Sequence, residues 1–505
     1  MLSIVCSAII VLVSSASIFI LALLLQRISR QTRFARRRAY QAIGIVFVAM
    51  LMSSNYAQHS TLAHGSVSRR SAPAERLSLL HPALQSADWS TYHNDDAHTG
   101  YIANEPDPHR LLAAWTTNLD GAVYAEPLVI GGHVIVATEG DSIYSLDADT
   151  GQVQWHTNVG HSVPLSALSG CGGNINPLGI TGTPVYDPAS GLIFAVAEVS
   201  GPKHILVGVD ANSGKVRVQR TVDVPQMNPP AIYMQRPALA LSQGMVYMTF
   251  GTVYEGCGIF RGTIVASQTD GTGPLLSYQI PTQDAGGGIW GTGGPVVDGQ
   301  GQLYISTSDE EHAPTKWDLS NAVLRFSPTL QLEDSFAPAD WLAQDTGNQD
   351  LGSMGPLLLP SGFVFVAGKA GIGYLLNANK LGGIGGQVAM AQICDGQALG
   401  GTATTGSQIF VPCSDGLRSV LIQPGPKLVV RWQAPPGAAL SPIVGGNTVY
   451  SLDQNGILYA LDIVTGKMRA MLALGTAVPR FVSPTISNGR IFVGTMNSAV
   501  AVSLA

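Results

Sequence analysis

Charge is scarce in this 505-residue chain: 12% of the residues are Asp, Glu, Lys or Arg, and aromatics make up only 7%. With 46% hydrophobic residues, such a chain buries a core and is not disordered. Helix-period patterns of ordinary length are missing, and 58 Gly interrupt the chain too often for a helical bundle. Basic surface is missing as well. The net charge of −6 becomes −12 once the six arginines of residues 1–58 are set aside, and an acidic body repels phosphate backbones, so no nucleic-acid partner is expected. Cysteine is limited to five residues with no adjacent pair, no CxxC and no CxxCH, which argues against cysteine-held metal and against attached haem. G-x-S-x-G and HExxH are also absent, which removes the commonest hydrolytic signatures.

The first apolar feature is Leu2 to Leu25, nearly unbroken and long enough to cross a hydrocarbon core. An Arg-rich loop follows at 27–38, then a shorter apolar run at 42–52 that suits a signal-peptide core. Residues 1–57 are therefore expected to be a transmembrane anchor, a signal region or both. Residues 58–87, rich in Ser, Ala, His and Arg, are expected to be a linker. Either way the bulk of the chain is expected outside the cytoplasm, membrane-anchored or secreted, in the periplasm or at the cell surface. Four cysteines, Cys171, Cys257, Cys394 and Cys413, lie in that exported part, where an even count permits two disulfides in three connectivities.

From Asp88 onward short β-branched and aromatic strands recur between Gly, Asn and Asp turns. The clearest unit, AEPLVIGGHVIVATEGDSIYSLDADTGQVQW (125–155), reads as four antiparallel strands, and LSPIVGGNTVYSLDQNGILYALDIVTGKMRAML (440–472) repeats its grammar. The closing turn recurs at Asp147–Gly151, Asp210–Gly214 and Asp462–Gly466, with Asp accepting backbone hydrogen bonds and Gly supplying positive φ. Units open near Tyr124, Gly182, Arg236, Gly293, Gly355, Gly401, Ser441 and Ser483. The eighth unit ends after three strands, while Leu111–Leu119 is an orphan strand ahead of the first. The arithmetic closes if the orphan completes the eighth unit. The spacing thus predicts an all-β fold over 88–505: an eight-bladed β-propeller of four-stranded antiparallel blades, closed by its N-terminal strand. Proximity in this repeat map pairs Cys394 with Cys413 and Cys171 with Cys257.

The opener DWSTYHNDDAHTGY, the G(x)VY strands and the LDADTGQVQW endings resemble pyrroloquinoline quinone (PQQ) type repeats, shared by quinoprotein alcohol dehydrogenases, polyvinyl alcohol dehydrogenases and the outer-membrane assembly scaffold lipoprotein. The resemblance implies that Trp115, Trp155 and Trp432 dock between neighbouring blades, a place taken by Val218 and Met468 in the second and seventh units. GGGIWGTGGPVVDGQGQLYISTSD (286–309) resembles the dehydrogenase segment in which a tryptophan forms the floor under the quinone, here Trp290, and a ligand to calcium follows, here Asp309 in place of Asn. The resemblance further implies that Asp350 is the catalytic base and that Lys369 contacts the quinone oxygens. The vicinal cysteine pair and the calcium-ligating glutamate of the family have no counterpart.

These departures favour a membrane-tethered platform that binds a protein, polysaccharide or small-molecule ligand. The alternative is a PQQ- and calcium-dependent dehydrogenase oxidising an alcohol, sugar or polymer. The two readings differ in one geometric expectation: only the enzyme requires Trp290, Asp309, Asp350 and Lys369 to meet in one pocket.

Overall fold

The computed structural model describes residues 88–505, apart from Ser169, Gly170 and Glu255. The anchor, signal and linker assignments for 1–87 lie outside the described residues. Among the described residues no helix is long and apolar enough to cross a membrane.

Eight antiparallel sheets follow one another along the chain, with inner strands at Leu128–Ile130, Val185–Asp187, Ala240–Ser242, Val296–Val297, Leu357–Leu359, Ala403–Thr404, Ile443–Gly445 and Thr485–Ser487. Each begins within a few residues of a unit start read from the sequence, because Gly turns set where each strand ends. The orphan strand, Leu111–Asn118, pairs antiparallel with Ser498–Leu504 as the outermost strand of the eighth blade, so the ring closes through the two chain ends. Closure removes the open sheet edge that would otherwise template aggregation. Three blades depart from the four-strand expectation, each gaining a two-residue strand: Tyr101–Ile102, Tyr233–Met234 or Gly383–Ile384. A further short element the periodicity does not show is the helix Trp341–Thr346, between the fourth and fifth blades.

Neighbouring blades lock through their closing turns. Trp115, Trp155 and Trp432 donate their indole N–H to Ala148, Ala211 and Ile463 carbonyls at 3.0, 3.0 and 3.1 Å, each in the turn of the next blade. Their rings lie over the turn glycines Gly151, Gly214 and Gly466, whose φ values are +71°, +68° and +68°. In the second blade Val218 takes this place against Gly271, while Met468 stays exposed. The glycine is thus required twice over, by its backbone and by the indole above it. Gly466→Ala, whose Cβ would meet Trp432 at 2.6 Å, is expected to lower stability by at least about 1–2 kcal/mol, seen as an earlier thermal midpoint. An unchanged midpoint would mean that the turn carries no load.

Both disulfides pair as the repeat map implies, Cys171 with Cys257 and Cys394 with Cys413. The first ties the connection between blades one and two to a turn of blade three, over a small apolar cluster of Val163, Leu168, Leu178 and Met234. The second ties the outer edge of blade five to blade six, and both of its cysteines are fully buried.

Residues 89–100 have no strand pattern, yet they are held at seven blades. Trp89 exchanges backbone hydrogen bonds with Val129 of blade one at 2.7 and 2.9 Å. The carbonyls of Ser90, Asp96, Ala97, Thr99 and Gly100 then accept from Tyr186, Val297, Leu358, Thr404 and Val444 of blades two, four, five, six and seven. His93 Nε2 reaches Ser483 Oγ, at the entry to blade eight, at 2.9 Å. This arc lies inside the ring of inner strands, against their middle or last residues, and its Trp89, Tyr92, His93 and His98 side chains are buried there.

Candidate active site

At one end of the inner strands lies a cavity of about 890 Å³. In a four-stranded meander the entry to the inner strand and the turn between the second and third strands emerge at the same end, so residues in those segments of every blade converge on the axis. Trp290 precedes the inner strand of blade four, and Asp309 follows its second strand, Leu303–Ser306. Asp350 immediately precedes the short turn Leu351–Ser353 that leads into blade five. Lys369 occupies the turn between Phe363–Ala367 and Ile372–Asn377 of the same blade. All four line the cavity.

Their contacts are mutual. Lys369 Nζ lies 2.6 Å from Asp350 Oδ2 and donates to Asn348 Oδ1 at 2.7 Å, while the Asp309 backbone N–H donates to Asp350 Oδ1 at 3.3 Å. Asp350 is only 2% exposed, and its carboxylate is held on both oxygens. Lys369 Nζ also stands 5.6 Å from the centre of the Trp290 ring, within cation–π range. The Lys369 backbone N–H donates to the Asp350 carbonyl at 2.9 Å. That approach needs Gly368, because a Cβ there would meet the same carbonyl oxygen at 2.5 Å.

The acidic wall is crowded. Burial, then the neighbouring Asp350, hold the Asp309 carboxyl well above the usual carboxylate range, against the opposing pull of Lys369. Glu310 is buried at 5% exposure and pushed up to about 8, first by burial and then by Asp318. Burial also pushes Asp345, on the unforeseen short helix, up to about 6. Glu310 Oε1 and Asp345 Oδ2 have no hydrogen-bond partner. Among the described residues no three His, Cys, Asp or Glu side chains converge as a metal cage.

Sequence reasoning missed a further part of the lining. Arg236, Phe481, Arg480 and Tyr124 line both the cavity and a small polar chamber beneath it. The Arg236 guanidinium lies 4.6 Å from the Phe481 ring centre and 5.8 Å from that of Trp290. Two of these residues, Tyr124 and Arg236, are themselves unit starts in the repeat map, so the signal was present: unit starts face the axis.

Fold, repeats and closure define an eight-bladed propeller of PQQ-type repeats. A sequence model described as outer membrane protein assembly factor BamB matches residues 112–230. A polyvinylalcohol dehydrogenase of Sphingopyxis sp. (strain 113P3) is 24% identical, covering 83% of this chain and 71% of its own. Among solved structures, the quinohemoprotein alcohol dehydrogenase of Comamonas testosteroni superposes with a TM-score of 0.63 at 14% identity, covering 83% of this chain and 80% of its own. BamB of Moraxella catarrhalis superposes with a TM-score of 0.52 at 13% identity, covering 78% and 97%.

Proposed function

We propose that this protein is a quinoprotein dehydrogenase that oxidises an alcohol-bearing substrate outside the cytoplasm. The observation that carries the reading is the meeting of Trp290, Asp309, Asp350 and Lys369 in one cavity, the condition that separates the enzyme from a binding platform. The dehydrogenase relatives weigh the same way. The two disulfides suit an oxidising compartment.

The residues fit the quinone. Trp290 offers a flat π face, and Lys369 and Arg236 stand within cation–π range of it, so a planar anionic ring system meets both stacking and charge. The fit to calcium is conditional. Asp309 and Asp350 bring two carboxylates, whereas calcium takes six to eight oxygens, so the remaining donors would have to come from the quinone and from water. Held against Trp290 and beside Lys369, a bound quinone would supply a two-electron acceptor for the hydride of the carbinol carbon. Asp350 accepts the hydroxyl proton of the substrate. Lys369 fixes the orientation of Asp350 by holding Oδ2, and the Asp309 N–H holds Oδ1. Trp290 and the surrounding buried walls keep bulk water from the reacting end.

The test is a titration of the full-length, disulfide-bonded protein with PQQ, with and without calcium, following tryptophan fluorescence and dye reduction on an alcohol panel. Saturable quenching and turnover are expected, with calcium and quinone each tightening the other by the same factor. Calcium alone should bind weakly. No quinone binding at tens of micromolar would overturn the reading and return the platform, whose partner pull-downs would then seek.

A further inference from the structure

The small chamber beneath the axial cavity has no part in the catalytic reading. It measures about 10 Å³, at the lower end of the roughly 10–15 Å³ that one enclosed water needs. Three polar atoms of its lining residues, Glu126 Oε2, Tyr92 Oη and Thr292 Oγ1, are buried without a hydrogen-bond partner. They come from different parts of the fold: Glu126 leads into the inner strand of blade one, Thr292 into that of blade four, and Tyr92 belongs to the arc. Arg236 lines the same chamber; its guanidinium lies over Phe481 and has no hydrogen-bond partner among the described residues. The neighbouring groups are already committed. Glu126 Oε1 accepts from the Trp89 indole and from the His93 N–H at 3.1 Å. His93 Nδ1 donates to the Thr402 carbonyl at 2.8 Å, which leaves Nε2 to accept from the Ser483 hydroxyl at 2.9 Å, so this ring, 3.7 Å from Glu126 Oε2, has no proton to offer it. Burial pushes Glu126 up to about 8, so at neutral pH the carboxyl keeps its proton, on the oxygen that faces no donor. Buried polar groups left bare lose their hydration without return, and four of them around a water-sized space are answered by solvent.

We propose that the chamber is a binding site for one ordered water, which joins the Glu126 carboxyl, the Tyr92 and Thr292 hydroxyls and the Arg236 guanidinium. The donors and acceptors balance. The water accepts from an Arg236 N–H and from the Glu126 acid proton, and donates to Tyr92 Oη and Thr292 Oγ1, which uses all four of its hydrogen-bonding positions. Glu126 and Arg236 thus meet through solvent, and the arc holds a residue of the cavity wall from below without touching it. Glu126 is a positioning residue in this arrangement. Trp89, Tyr92 and His93, at 0%, 2% and 0% exposure, fill the axis beyond the chamber, so the water exchanges only by way of the cavity. The inference is independent of what the cavity above binds.

The experiment takes the full-length protein, Tyr92→Phe and Thr292→Ile. A crystal structure of the parent protein should show one ordered water within about 3.2 Å of Glu126 Oε2 and of the Tyr92 and Thr292 hydroxyls. Tyr92→Phe removes a single hydroxyl and keeps the ring. If that hydroxyl holds a water, its loss lowers the thermal midpoint by roughly 1–2 °C; if it is bare, removing it leaves the midpoint unchanged or raises it. Thr292→Ile, whose larger side chain fills the chamber, should expel the water, and the number of long-lived internal waters counted by oxygen magnetic relaxation dispersion should fall by one. Should Thr292→Ile not fold, the parent crystal and Tyr92→Phe decide between them. A dry or closed chamber in the crystal overturns the site, as does a Tyr92→Phe midpoint equal to or above the parent's or an unchanged water count in folded Thr292→Ile.

Discussion

Asp350→Asn is expected to lower kcat for dye-linked alcohol oxidation by roughly 10²–10⁴-fold, the usual contribution of a positioned general base, while PQQ affinity measured without calcium changes little. Asparagine keeps the shape, so the Asp309 N–H still has an acceptor, but it cannot take a proton from the substrate hydroxyl. Lys369 keeps Asn348 Oδ1 as a partner at 2.7 Å, which limits collateral movement. The split between the two readouts matters: a structural role would weaken quinone binding and turnover together. Activity within tenfold of the parent protein would remove Asp350 from the reaction.

The second large effect is on stability. Trp89→Ala should cost about 3–5 kcal/mol, the usual penalty for emptying a large, fully buried aromatic site. Trp89 is 0% exposed, its indole holds Glu126, and its backbone is tied to Val129 on both sides. Truncation opens a void inside the ring of inner strands and deprives a buried carboxyl of a donor, and both changes push the same way. Chemical denaturation measures it. A loss below about 1 kcal/mol would show that the arc is draped over the blades and does not hold them together.

What could be read in the residues follows from how locally each feature is determined. The eight unit starts and the closing strand Leu111–Asn118 were legible because Asp and Gly fix each turn within five residues, and the docking of Trp115, Trp155 and Trp432 between blades was legible through the resemblance of the repeats to the PQQ type. Trp290, Asp309, Asp350 and Lys369 were legible only through the resemblance of 286–309 and the segments after it to quinoprotein dehydrogenases. The arc of residues 89–100 was not, since its conformation is dictated by hydrogen bonds to strands as far away as Val444. Arg236, Arg480 and Phe481 were overlooked for a related reason: they belong to the third and eighth units, which meet across the axis only after closure. The two-residue strands and the helix Trp341–Thr346 are too short to carry a period. The missing cysteine pair and glutamate favour a platform from sequence alone, whereas the meeting of the four residues in one cavity favours the dehydrogenase.

The filled axis makes the cavity a cul-de-sac. With the buried arc from Trp89 to Gly100 filling the axis inside the inner strands, a molecule that enters must leave by the same mouth, in the reverse of the order of arrival. A tightly held ring at the bottom is therefore loaded first and shielded by whatever arrives next. A long-chain substrate cannot thread through the ring of blades; it presents an end or a bent loop and withdraws.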